Sequence, residues 1–334
     1  GTVNVIITGK GNYAGIVSGS YKIAAKDVTV VMNTATKVFG ETDPVFTHVV
    51  NGLVNGDTLN DVVTLTVSRE AGEDVGTYDV TYVVVVTNNN YKVSVTGSTL
   101  TITPSKDVTV DDVADVTYTG EEMKPAVVVK GNGQVLDAEL YSVEYVNNVN
   151  AGLAKVIVTV GGNYDAKIEK LFVIKAQSIE NAAINGLQDV VYDGKEHKLV
   201  PVVTLGETTL VEGTDYVVTY KNNVNVGVAT VTVEGKGNYA GMIQATHEIT
   251  VRKVTVVMNE LTKVFGEQEP AYTHSVVGTF AGTDTLEDVV TLTGTRDGGE
   301  DVGTYNTTYA VVVNNTNYEV KVLGSTLTIV AETE

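Results

Sequence analysis

Val28-Thr29-Val30-Val31-Met32-Asn33 stands near the start of the chain, and Val254-Thr255-Val256-Val257-Met258-Asn259 stands near its end. Each is followed by the same second phrase, first Thr36-Lys37-Val38-Phe39-Gly40-Glu41, then Thr262-Lys263-Val264-Phe265-Gly266-Glu267. Further on, Gly72-Glu73-Asp74-Val75-Gly76-Thr77-Tyr78 answers to Gly299-Glu300-Asp301-Val302-Gly303-Thr304-Tyr305. Gly97-Ser98-Thr99-Leu100-Thr101-Ile102 likewise recurs from Gly324 to Ile329. A fixed order of matching phrases identifies an internal repeat, here called type one.

A second repeat, type two, fills the space between the copies. Tyr118-Thr119-Gly120 corresponds to Tyr192-Asp193-Gly194, and Tyr141-Ser142-Val143-Glu144-Tyr145 to Tyr216-Val217-Val218-Thr219-Tyr220. Gly162-Asn163-Tyr164 corresponds to Gly237-Asn238-Tyr239. Gly9-Lys10-Gly11-Asn12-Tyr13-Ala14-Gly15 mirrors Gly235-Lys236-Gly237-Asn238-Tyr239-Ala240-Gly241. Residues 1–25 therefore read as the C-terminal part of another type-two repeat. The expected domains are 1–25, 26–103, 104–175, 176–251 and 252–331, a piece cut from a longer array.

Inside each repeat the pattern is that of strands. In Ala229-Thr230-Val231-Thr232-Val233-Glu234 apolar and polar residues alternate, the period of a strand with one buried face. Tyr82-Val83-Val84-Val85-Val86 is apolar on both faces, as in a central strand or at a domain junction. Asn51-Gly52, Asn55-Gly56, Asn132-Gly133 and Asn185-Gly186 mark tight turns, since Asn and Gly accept positive φ. One short helical turn is expected after Asp57 and again after Asp284, with the Asp carboxylate capping it. Val and Thr, which suit a pleated sheet, make up about one residue in three. The expected fold class is all-β: small Ig-like β-sandwich modules in an elongated tandem array. For type one, a β-grasp-like fold around the Asp57 turn stays open.

Composition narrows the chemistry. The 334 residues carry 22 Lys and Arg against 41 Asp and Glu, a formal charge of −19, which argues against nucleic acid and anionic membranes as partners. The absence of Cys removes disulfides, thiolate metal sites and a cysteine nucleophile. No apolar run approaches the roughly 18 residues of a membrane helix. Of the four His, His48 and His274 match between copies and read as solvated strand residues. His247 aligns with Tyr21 and Phe172, an aromatic packing position. His197 belongs to no His pair with zinc-ligand spacing. Tyr78, Tyr305, Tyr145 and Tyr220 recur at fixed points, so they read as packing residues with bonded hydroxyls. Ca²⁺ is the one cofactor left open, at the carboxylate pairs Glu41 with Asp43 and Glu73 with Asp74, since hard oxygen ligands suit it. The bland reading of these acids is a solvated surface.

Type one resembles the MBG repeat of bacterial surface adhesins. Phe39-Gly40-Glu41 and Phe265-Gly266-Glu267 stand where that family has Tyr-Gly-x, followed by Asp43-Pro44 and Glu269-Pro270, with an Asn-Tyr and a Leu-Thr-Ile strand later. Type two is similar to the Tyr-Asp-Gly repeat and related Ig-like modules, through Tyr192-Asp193-Gly194 and Asn222 to Gly227. The resemblance implies a secreted, non-catalytic stalk at the bacterial cell surface, its partners being neighbouring repeats of the parent chain. The other class is a module that itself contacts host glycan, mucin or protein. The hairpin of residues 1–25 would leave Val3, Val5 and Ile7 in water, so it is expected to dock on the first type-one repeat or to pair with another molecule.

Overall fold

The alternating segments form strands; of the Asn-Gly pairs, Asn132-Gly133 turns Val129–Gly131 back onto Gln134–Val135, while Asn55-Gly56 leads from a strand into the helical turn. In the computed structural model, which describes residues 1–333, both central residues have positive φ at Asn55-Gly56 (59° and 82°) and at Asn132-Gly133 (47° and 77°). That is the backbone a tight hairpin turn requires, and Asn and Gly tolerate it best. The chain divides into two compact units. One comprises Gly1–Val116, Glu122–Asn148 and Leu153–Val173, and the other Thr117–Glu121, Val149–Gly152 and Ile174–Glu334.

The first type-one repeat is a two-sheet sandwich. One sheet places Lys26–Met32 between His48–Asn51 and the parallel Tyr91–Thr96. The other orders Ala35–Val38, Ser98–Thr103, Gly76–Val86 and Val63–Arg69. Val30 and Met32 of the first sheet meet Val80, Tyr82, Leu100 and Ile102 of the second, all buried. Residues 252–331 repeat both sheets in the same strand order. The helix is a single turn, Leu59–Val62, leading into the edge strand. Two facing sheets with one helical turn at the margin make a sandwich, not a β-grasp.

Two local expectations need correction. Thr58, not Asp57, is the N-cap: its amide donates to the Asp61 carboxylate at 2.8 Å, and at the second copy Thr285 and Asp288 form the full reciprocal capping box. The Asp57 carboxylate instead accepts from the Tyr91 hydroxyl at 2.6 Å, and Asp284 from Tyr318 at 2.7 Å. Strand Gly76–Val86 lies inside its sheet, yet its second face is open, with Val83 and Val85 exposed.

The type-two repeat of the second unit pairs a small sheet, Ala183–Asn185, Val202–Leu205 and Thr208–Thr209, with a four-stranded one. The latter orders Val190–Val191, Met242–Thr250, Gly227–Gly235 and Tyr216–Lys221. Ile179, Val203, Leu210, Tyr216, Val233 and Tyr239 form its core. In the first unit, Val110, Val129, Val158, Val160 and Tyr164 form the corresponding core.

The N-terminal hairpin forms as expected, Thr2–Thr8 against Ile16–Lys22, with Val3 opposite Tyr21 and Ile7 opposite Val17. It does not dock on the first type-one repeat. Ile6, Ile7, Ile16 and Val17 are exposed, and the hairpin is a sheet of its own. The reason is topological. The strand it leads into, Lys26–Met32, is already flanked on both sides, so that sheet has no free edge there.

Candidate functional site: joints between repeats

The acids singled out in type one gather around two cations. Lys37, its side chain 3% exposed, donates to Asp43 at 2.7 Å and to Glu73 at 2.5 Å. Arg69 Nε donates to Asp43 at 2.5 Å, its Nη2 contacts Glu73, and its Nη1 reaches the carbonyls of Glu70 and Gly72. The Lys37 ammonium holds both carboxyls below their ordinary range, with Arg69 adding to the effect. The second copy rebuilds this clamp from Lys263, Arg296, Glu269 and Glu300. Glu41 lies elsewhere, accepting from the Val38 amide at 3.0 Å across the Phe39-Gly40 turn. Asp74 accepts from Asn163. Among the described residues, no group of three or more His, Asp or Glu is placed to hold a metal ion.

The clamp ties the loop bearing Asp43 to the one bearing Glu73, and beyond Glu73 lies a loop used by the next repeat. Tyr78 packs half-buried on the core, and its hydroxyl donates to the Asp74 carbonyl at 2.8 Å. Arg69 lies 5.8 Å over its ring. Gly72, at φ 147°, leaves room for that ring, since a Cβ there would come within 2.3 Å of it. Asp74-Val75 is thereby fixed in place. The Val75 amide donates to Asn163 Oδ1 at 2.8 Å, and Asn163 Nδ2 donates to Asp74 at 2.8 Å. The next residue, Tyr164, is buried edge-on to Phe39, ring centroids 5.5 Å apart.

This joint recurs twice in the second unit. Asn238 accepts from the Ala151 amide at 2.8 Å and donates to Asn150 at 3.0 Å, while Tyr239 meets Tyr118 edge-on at 5.7 Å. Asn317 accepts from the Val226 amide at 2.8 Å and donates to Asn225 at 3.2 Å, while Tyr318 meets Tyr192 at 5.6 Å. At this last joint burial pushes the Tyr318 hydroxyl up to about 12. Arg252 adds a bond from Nη1 to the Tyr192 carbonyl at 3.0 Å. One hydrophobic cluster runs across it, from Tyr192, Ala229 and Ile249 to Val254, Ala281 and Tyr318.

Every joint thus has the same two halves. The earlier repeat offers an aromatic ring (Phe39, Tyr118 or Tyr192) and a backbone amide before a glycine. The later one offers an Asn-Tyr pair. Both halves stood in the sequence as separate motifs. Asn-Tyr is common to two otherwise unlike repeats, the available sign of a shared task.

The remaining sequence candidates fall outside the joints. His48 Nδ1 lies 2.9 Å from the Tyr82 hydroxyl and His274 Nδ1 3.2 Å from Tyr309, so each pairs with a tyrosine rather than only with solvent. Tyr145 and Tyr220 pack as expected, donating to the carbonyls of Pro125 and Leu199. His197 Nε2 is 3.2 Å from Asp193 of the Tyr-Asp-Gly motif.

Comparison with protein families matches residues 28–101 and 254–328 to the MBG domain, YGX type. The two type-one repeats are MBG domains. Their Phe-Gly-Glu occupies the motif that names the type, and Phe39 is the ring of the first joint. No curated protein matches the chain. Among solved structures, Sidekick-1 immunoglobulin domains 1–5 are 10% identical over 95% of this chain and 83% of that one, at a TM-score of 0.28. Drosophila N-cadherin EC1–4 is 6% identical over 77% and 83%, at 0.22. The Bacteroides ovatus glucan-locus protein SGBP-B, in complex with a mixed-linkage heptasaccharide, is 12% identical over 68% and 71%, at 0.16. At such scores these likenesses carry no argument. Among the described residues no helix is long and apolar enough to cross a membrane.

Proposed function

We propose that this chain is a non-catalytic spacer of a bacterial surface adhesin, a secreted stalk whose repeats are held at fixed angles. The observation that carries this reading is the joint: two hydrogen bonds and an edge-on aromatic pair, built alike between MBG and type-two repeats and between two type-two repeats. A flexible linker needs no such construction. A stalk does, because a freely hinged chain cannot hold a distal domain away from the cell. A direct binding role toward host glycan or protein has less support. The exposed Val83 and Val85 have counterparts in Ala310 and the exposed Val312, so this face does not single out one module.

The chain has no Cys, so spin labels can be placed freely. Labels at Thr64→Cys and Ser142→Cys report across the first joint. The native chain should give one narrow distance distribution, and Asn163→Ala a broader one. A broad distribution in the native chain, unchanged by Asn163→Ala, would sink the stalk reading.

A further inference from the structure

Each MBG domain begins and ends on strands that run side by side. Lys26–Met32 opens the first domain, in parallel register with Tyr91–Thr96 from Lys26 opposite Tyr91 to Val31 opposite Thr96. The chain then crosses to the other sheet. There Ala35–Val38 lies parallel to the last strand, Ser98–Thr103, with Val38 opposite Thr103. Bonds just outside the strands close this ladder at both ends: the Lys26 amide donates to the Asn90 carbonyl and the Phe39 amide to the Thr103 carbonyl, each at 2.9 Å. Within it, Thr103 Oγ1 donates to the Lys37 carbonyl at 3.2 Å. Val28, Val30, Leu100 and Ile102 are buried, so water has little access to replace these bonds. The second MBG domain repeats the ladder, Arg252–Met258 on Tyr318–Leu323 and Leu261–Val264 on Ser325–Val330. The type-two repeat of the second unit has far less: Gln177–Ser178 on Tyr239–Ala240, and Val190–Val191 on the end of Met242–Thr250.

We propose that the MBG domains are shear locks, which hold under a tension along the chain that unfolds the type-two repeats. Tension enters the first domain at Lys26 and leaves it at Thr103. These are opposite ends of two strand paths that point the same way, so the pull slides one path along the other. The evenly spaced bonds of the parallel ladder are then strained together, and none opens before its neighbours. Lys37 adds to the resistance. Its ammonium is held by Asp43 and Glu73, so Ala35–Val38 cannot slip without breaking the clamp. In the type-two repeat the parallel register is short at both places, so fewer bonds share the tension. Forced unfolding follows the barrier on the way out rather than the equilibrium stability, so the two kinds of repeat can differ in strength while melting alike. The proposal rests on the stalk reading only for the origin of the tension. The strength of the ladder is measured without it.

Single-molecule force spectroscopy on the whole chain tests it, with a cysteine added at each terminus as the handle, since the chain has none of its own. The expected record ends in two ruptures at distinctly higher force than those before them. Each should release up to about 280 Å, the extended reach of one repeat. Lys26→Pro deletes the first amide of the ladder at an exposed strand start, where proline is tolerated. It should shift one of the two high-force ruptures to lower force and leave the other in place. Thr103→Val, which removes only the hydroxyl bond to the Lys37 carbonyl, should shift the same rupture by less. Thermal melting of each variant, matched to the native chain, separates a weakened ladder from a lost fold. Ruptures that all fall at one force overturn the proposal. So does a Lys26→Pro chain that melts like the native one and keeps both high-force ruptures. Two high-force ruptures in a chain whose spin-label distances are broad would sink the stalk reading and leave the shear lock standing.

Discussion

His247 shows how far a single position can be read. The sequence placed it where the other type-two segments carry Tyr21 and Phe172, and the structure buries it to 5% exposure, beside 2% for Phe172 in the sister repeat. Both ring nitrogens lack a hydrogen-bond partner. A buried polar atom without a partner costs about 1–3 kcal/mol, so His247→Phe should raise stability by an amount of that order. Thermal unfolding checks the sign, and a lower melting temperature would mean that the site cannot accept the larger ring. What the sequence could not show is the company such residues keep. Asp57 looked like a helix cap because it precedes the helical turn. The deciding partner, the Tyr91 hydroxyl, lies 34 residues away.

At the scale of the element, the strands and turns were legible because their causes are local: alternation, β-branched side chains, Asn-Gly pairs. The clamp was not. From sequence, Asp43 belongs with Glu41 and Glu73 with Asp74 as separate carboxylate pairs of the kind Ca²⁺ favours; their cations arrive from other strands, Ala35–Val38 and Val63–Arg69. The clamp has a pH signature. Asp43, Glu73, Glu269 and Glu300 have folded pKa values depressed below their ordinary 3.8 and 4.5 by Lys37, Lys263, Arg69 and Arg296. A depressed carboxyl stabilises the fold above its unfolded pKa and loses that contribution as pH falls through the folded one. Lys37 and Lys263 are raised from 10.5, so their share is constant across this range. Denaturant midpoints should therefore hold level from pH 7 to about 5 and fall below about 4. Lys37→Met with Arg69→Met should flatten the acid limb contributed by the first MBG domain. A midpoint that rises on acidification would contradict the clamp.

At the scale of the whole molecule, the order of repeats could be read from the sequence, but what joins them could not. Half of each joint lies in one repeat and half in the next, and no pattern confined to a single repeat shows that Asn163 faces Val75. The hairpin of residues 1–25 is the informative exception, because it carries a later half-joint while lacking the strands that cover its equivalent, Gly227–Gly235 with Met242–Thr250. In that complete repeat Ala229, Val231 and Val233 are fully buried, whereas the matching Val3, Val5 and Ile7 are half-buried or exposed. A two-stranded hairpin with no covering face is marginal in water. Its amides should therefore exchange with solvent far faster than those of Gly227–Gly235 in dilute solution, where the strand interior opens only with its whole repeat. Hairpin amides as protected as those of Gly227–Gly235 in dilute solution would mean that another surface of the same molecule covers Val5 and Ile7.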